Sequence, residues 1–250
     1  MYLSRAFAPD KPENSSDFDT TFVRITNNTL TYSPTNNNNY SIYITSSWGT
    51  NNSDRMPIRI CEVSDNVLSS SNGKAGYIRL SGYSDQSENL QAFIKNNEID
   101  RPNYRGMEVE GIKGGRISNN TIRSAFHQQG NYTEDWSPAA IDVYSSNIDI
   151  VSNVIDSSFA AGVGFKYSTG RIDSNTVNHA SYGLWLEGNF EQSVTSLVRH
   201  NNLTNNYVAG ILTKQYANPT INYNDLFSSS TYYNYHDIKH EVSNVYYSEM

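Results

Sequence analysis

The chain has 250 residues, with 25 acidic against 18 basic side chains and a net charge of −7, so nucleic acid, which asks for a basic stripe, is excluded as the main partner. No apolar run reaches the roughly 18 residues of a membrane-spanning helix. Residues 1–8 lack the apolar stretch of a signal peptide, and the single cysteine, Cys61, permits no intrachain disulfide.

Residues 1–20 are polar and irregular, with no amphipathic helix to cap the first repeat. From residue 21 one phrase returns eight times: an aliphatic, two free positions, an asparagine, one free position, another aliphatic. The copies are Ile25-x-x-Asn28-x-Leu30, Val63-x-x-Asn66-x-Leu68, Ile94-x-x-Asn97-x-Ile99 and Ile117-x-x-Asn120-x-Ile122. They continue as Ile150-x-x-Asn153-x-Ile155, Ile172-x-x-Asn175-x-Val177, Val198-x-x-Asn201-x-Leu203 and Ile221-x-x-Asn224-x-Leu226. The asparagines lie 38, 31, 23, 33, 22, 26 and 23 residues apart, a period of 22–23 with insertions. Such a period predicts a solenoid, whose units bury their apolar faces only by stacking on one another.

Around each asparagine apolar and polar residues alternate, as in short strands with one buried face. The asparagine itself is expected to turn the chain, since it tolerates left-handed backbone angles and its amide can bond nearby backbone. Stacked at the strand spacing of about 4.8 Å, successive amides can bond to each other in a ladder. A third strand, led by Gly or Ala, follows about nine residues later at 106–110, 140–144, 162–166, 183–187 and 210–214, with 41–45 and 77–81 fitting at small offsets. The chain is thus expected to be all-β, with three short strands per coil and seven to eight coils over residues 21–231. Cys61, in register with Val23, Ala92 and Ile148, is a small buried hydrophobe in this scheme. Residues 232–250, rich in tyrosine, form a C-terminal cap or an oligomer contact.

This pattern resembles the right-handed parallel β-helix of the pectin-lyase-like superfamily, with its internal asparagine ladder. The resemblance covers roughly residues 21–230. It implies a saccharide-binding groove on the outer face of the first sheet, the one formed by the Gly/Ala-led strands. It also admits a homotrimer and an extracellular, cell-surface or virion-associated location. The superfamily holds hydrolases, lyases, epimerases, tailspikes and plain binding proteins, so fold alone does not settle function. The motif sets of its polygalacturonases and mannuronan epimerases are missing, and no catalytic residue transfers by motif.

The groove residues follow from alternation. One outward column of the first sheet runs Tyr43, Arg79, Glu108, Asp142, Gly164, Trp185, Leu212, and the next runs Thr45, Ser81, Glu110, Tyr144, Lys166, Glu187, Lys214. The insertions at 46–57, 82–91 and 123–139 flank this sheet, and the last, carrying His127 and Trp136, is expected to fold over it. The catalytic candidates are therefore Asp142, Glu110, Glu187, Lys166, Tyr144 and His127. Trp185, Glu108, Arg79, Lys214, Trp136 and Tyr43 are the candidates for substrate binding, with Trp185 read as an exposed stacking ring. Glycosidases need two carboxyl groups about 5–5.5 Å apart for retention or 6.5–9.5 Å for inversion, and both are reachable here. An acidic groove repels a uronate polymer, which favours a glycoside hydrolase over a lyase or epimerase. A non-catalytic carbohydrate-binding or adhesion module of tailspike-like type is the alternative. No metal site is legible and no cofactor is called for, calcium being the one ion an anionic substrate would bring in.

Overall fold

Eight coils of three parallel strands stack along one axis in the computed structural model, which describes residues 21–32, 40–45, 58–70, 75–82, 90–102, 105–125, 139–189, 194–227 and 236–241. The strands that precede each asparagine form one sheet: Thr21–Thr26, Ile58–Ser64, Gln91–Lys95, Gly114–Ser118, Asp149–Val151, Arg171–Asp173, Leu197–Arg199 and Thr220–Asn222. Those that follow it form another, from Thr29–Tyr32, Val67–Ser70, Glu98–Asp100 and Thr121–Ala125 to Asn202–Thr204 and Asp225–Phe227. The Gly/Ala-led strands form the first sheet: Tyr40–Thr45, Tyr77–Ser81, Met107–Glu110, Ala139–Tyr144, Ala209–Lys214 and His236–Glu241. Two strands, Val154–Lys166 and Thr176–Glu187, run through the corner unbroken and serve both of the last two sheets. Separate short strands were expected there. The last first-sheet strand, His236–Glu241, pairs with Ala209–Lys214 from within the tail segment. Among the described residues no helix is long and apolar enough to cross a membrane.

The repeat's aliphatics fill the bore. Val63, Ile94, Ile117, Ile150, Ile172 and Val198, three before each asparagine, are fully buried, as are Leu68, Ile99, Ile122, Ile155, Val177 and Leu203, two after. Each such side chain contributes about 1.5–3 kcal/mol by leaving water. At the ends Leu30, Ile221 and Leu226 are only half-buried, because a terminal coil has a neighbour on one side only. Cys61 pairs with Val23 and Ala92 in the sheet of strands that precede the asparagines. Burial pushes its thiol up to about 12, so it packs as a hydrophobe rather than reacting.

All eight asparagines stand in one line. Each side-chain amide donates to the next rung's Oδ1 at 2.9–3.0 Å, from Asn28 through Asn66, Asn97, Asn120, Asn153, Asn175 and Asn201 to Asn224. The same amide also donates to a strand carbonyl of the preceding coil, as Asn153 does to Ile117 at 2.9 Å. The turn itself differs from expectation. The left-handed residue is the one before each rung: Asn27, Asp65, Asn96, Asn119, Ser152, Ser174, His200 and Tyr223, with φ between 53° and 58°. That twist swings the following asparagine inward, where its amide replaces the sheet bonds that the corner interrupts.

One turn carries a second network. Asp173, 6% exposed, accepts hydrogen bonds from Ser174 Oγ at 2.9 Å and Arg199 Nε at 3.0 Å, and His200 Nδ1 lies 3.3 Å away. Burial alone would raise its pKa, but these donors outweigh burial and hold the carboxyl below the ordinary carboxylate range. A depressed carboxylate stabilises the fold above its unfolded pKa and loses that contribution as pH falls through its folded pKa. We expect Asp173→Asn to melt below the wild type near neutrality. That gap should shrink as pH falls below about 4. A gap that widens in acid would contradict the network's role.

Candidate functional site

The first sheet presents the two outward columns in the expected register. Arg79, Glu108, Asp142, Gly164, Trp185 and Leu212 are paired in sequence, as are Ser81, Glu110, Tyr144, Lys166, Glu187 and Lys214. Ten residues line a cleft of about 570 Å³ on this face: Arg79, Arg105, Glu108, Glu110, Asp142, Tyr144, Lys166, Tyr167, Glu187 and Gln215. Charged side chains crowd onto one face here because each β residue on an outward column has a neighbour only one strand spacing away.

A chain of ion pairs organises the cleft. Arg79 lies 3.6 Å from both Glu108 and Glu110, and Arg105 reaches Glu108 at 2.9 Å and Asp142 at 3.1 Å. The Tyr77 hydroxyl donates to Glu108 at 3.1 Å. Glu108, held by these three donors, is the anchor of the network. Asp142 is 8% exposed and lies back over Gly164, where a Cβ would stand 3.1 Å from its Oδ1. Glycine there makes the room for this carboxylate. Burial raises the Asp142 pKa above the usual carboxylate range, against the pull of Arg105 and Lys166 and with a smaller push from Glu108. Burial works against the charge on Arg105, but Asp142, Glu108 and Tyr77 outweigh it and keep the guanidinium firmly charged.

Trp185 departs from expectation. It lies on the outward column but is only 3% exposed, packed with Ala139, Ala161 and Leu212 in a small apolar cluster outside the bore. Lys166 and Lys214 hold their ammonium groups over its ring at 5.5 and 5.3 Å, Tyr182 meets it edge-on at 5.3 Å, and its Nε1 donates to Glu187 at 3.0 Å. The small Ala and Gly neighbours let the indole lie flat under the lysines, so it is no exposed platform. Glu187, 6% exposed, is drawn into the same arrangement.

The groove's charges come close to balance. Four carboxylates, Glu108, Glu110, Asp142 and Glu187, share the lining with three cations, Arg79, Arg105 and Lys166, and Lys214 stands beside them over the Trp185 ring. Arg105 was the residue missed. It precedes the strand that begins at Met107, so alternation did not extend to it. Tyr167 and Gln215 were missed for a related reason: they follow first-sheet strands in left-handed conformation, with φ of 50° and 56°, which turns their side chains back onto the cleft wall. Tyr43 lies under Arg79, whose guanidinium stands 5.5 Å from the ring centroid. His127 and Trp136 lie outside the described residues, as does the rest of the insertion expected to cover the sheet from residue 126 to residue 138. Among the described residues no cluster of His, Cys, Asp and Glu could hold a metal ion.

Parallel coils, an inward asparagine ladder and a polar cleft on the first sheet define a right-handed parallel β-helix. A family model of the right-handed β-helix region matches residues 14–226, and the chain belongs to that family. A search of curated proteins and a search of solved structures each returned no match.

Proposed function

We propose that this chain hydrolyses a polysaccharide in the first-sheet cleft, with inversion at the cleaved carbon. The observation that carries the reading is Asp142, a nearly buried carboxyl whose pKa is raised and which shares its cleft with a second carboxylate one coil away. Glu110 is diagonal to Asp142, one coil and two residues removed, which places their backbones about 8 Å apart by strand geometry. Inverting enzymes hold their two carboxyl groups roughly 6.5–9.5 Å apart, with room for an attacking water, and side chains carried on backbones at this spacing can reach that range. In this scheme Asp142 gives its proton to the glycosidic oxygen as the bond to the anomeric carbon breaks. Glu110 takes a proton from the water that attacks the opposite face. Arg79 stands 3.6 Å from Glu110 and pairs with its carboxylate. Sugar polymers of this kind are met outside the cell, so the location we propose is extracellular, cell-surface or virion-associated.

A second reading, a saccharide-binding module without turnover, is favoured by one contact. Arg105 stands 3.1 Å from Asp142, and a cation there stabilises the ionised form that cannot act as an acid. Incubation with neutral and acidic polysaccharides separates the readings. New reducing ends without unsaturated products support hydrolysis, unsaturated products support a lyase, and binding without either supports the module.

A further inference from the structure

With Trp185 covered, the aromatic surface of the cleft belongs to other residues. Tyr144, on the outward column, is 42% exposed. Tyr167 follows the next coil's strand and meets Tyr144 at 5.2 Å between centroids, with the ring planes 82° apart. Both line the cleft, on the coils at and just beyond Asp142. Two rings at right angles make a corner, which offers a flat apolar face and a hydroxyl to one guest. Tyr167 holds this place in a left-handed conformation, φ 50°, that suits a small residue better than a bulky one. Neighbouring coils put Gly111 and Ser145 at the corresponding turn.

The charges decide what the guest is. Both arginines lining the cleft already face carboxylates. Arg79 faces Glu108 and Glu110, Arg105 faces Glu108 and Asp142, and Lys166 sits over the Trp185 ring beside Asp142. A uronate carboxylate bound by either arginine would have to displace one of these pairs. A neutral ring displaces none.

We infer that Tyr144 and Tyr167 form the sugar-stacking platform of this cleft, on the coil of Asp142 and the one after it, and that it takes a neutral hexopyranose unit. This rests on reading the cleft as a saccharide site and does not depend on turnover. The apolar face of the ring lies on the tyrosines, while Gln215, two coils further along the same row of turns, lines the cleft with an amide that can bond its hydroxyls.

The test is calorimetric titration with neutral hexose oligomers (cello-, malto- and manno-hexaose) and with oligogalacturonate, on the wild type and on Asp142→Asn. Tyr144→Ser and Tyr167→Asn should each weaken binding of a neutral oligomer roughly tenfold. Asparagine accepts the left-handed backbone, so Tyr167→Asn should melt at or above the wild-type temperature, whereas a purely structural tyrosine would lower it. Tyr167→Phe, which keeps the face, should bind as the wild type does. Unchanged binding in Tyr144→Ser and Tyr167→Asn would overturn the platform and leave the cleft reading standing. Binding of oligogalacturonate alone would overturn the neutral substrate. Binding of no oligomer to the wild type would remove both the platform and the saccharide cleft. Loss of affinity in Tyr167→Phe would replace stacking by a hydrogen bond from the phenol.

Discussion

Asp142→Asn is expected to lower turnover on a cleaved polysaccharide by at least 10²–10⁴-fold, the usual contribution of a positioned acid, with oligosaccharide affinity nearly unchanged. Asparagine keeps the shape that fits over Gly164 but carries no proton to give the leaving oxygen. Arg105 then loses one of its two carboxylates and keeps Glu108 at 2.9 Å, so the network relaxes without collapsing. The pH profile adds a second check. A raised Asp142 pKa extends the protonated, active form toward neutrality, so activity should fall on the alkaline side at a pH above the ordinary carboxylate value of about 3.9. Glu110→Gln should lose activity to a similar extent. If Asp142→Asn loses binding and turnover together, the carboxylate holds substrate rather than protonating it. If it keeps full turnover, the proton donor lies elsewhere.

The second large effect concerns stability. Asn153→Leu should lower stability by roughly 2–4 kcal/mol, because it strands several buried polar groups in mid-ladder at once. The Asn153 Oδ1 accepts both the backbone N–H and the side-chain amide of Asn120, and its own amide bonds Asn175 Oδ1 and the Ile117 carbonyl. Leucine answers none of these. For a chain of this size the melting temperature should drop by roughly 5–15 °C. Asn224→Leu, at the half-buried last rung, should have a smaller effect, since Asn224 donates only to the Val198 and Asn222 carbonyls and supports Asn201 alone. Equal losses at both positions would mean that the ladder is not the source of the stability.

The fold was legible because its information is periodic. Two aliphatics and an asparagine, repeated eight times, fix the bore, the ladder and the inward or outward sense of every strand position near them. The outward columns of the first sheet follow from that alternation, which is why Glu108, Asp142 and Trp185 stand in one line. What alternation does not carry is what happens where a strand begins or ends. Arg105, one residue before the bend at Gly106, and Tyr167 and Gln215, just past the last strand residue, took their positions from turn geometry. The serine pair at the same corner was equally silent. Ser146 and Ser168 hydroxyls accept backbone N–H groups of Ile112 and Ser146 in a short second ladder, with nothing in the spacing to mark them. The burial of Trp185 depended on Ala139 and Ala161, whose smallness matters only once they are known to be its neighbours. Arg105 brings the charge of the groove closer to balance.

The two unbroken strands, Val154–Lys166 and Thr176–Glu187, have a kinetic consequence. Paired along most of their length, they fasten two sheets together at consecutive coils, whereas elsewhere a corner separates the sheets. A stack held only by neighbour contacts opens from its ends, and the half-buried terminal coils are the places to begin. Opening that advances from either end must stop at this double clasp before it can go further. Amide hydrogens of Val163, Phe165, Leu184 and Leu186 should therefore be the last to exchange with solvent. Lys166 and Glu187, borne on the same strands, are then held on the slowest-moving part of the molecule.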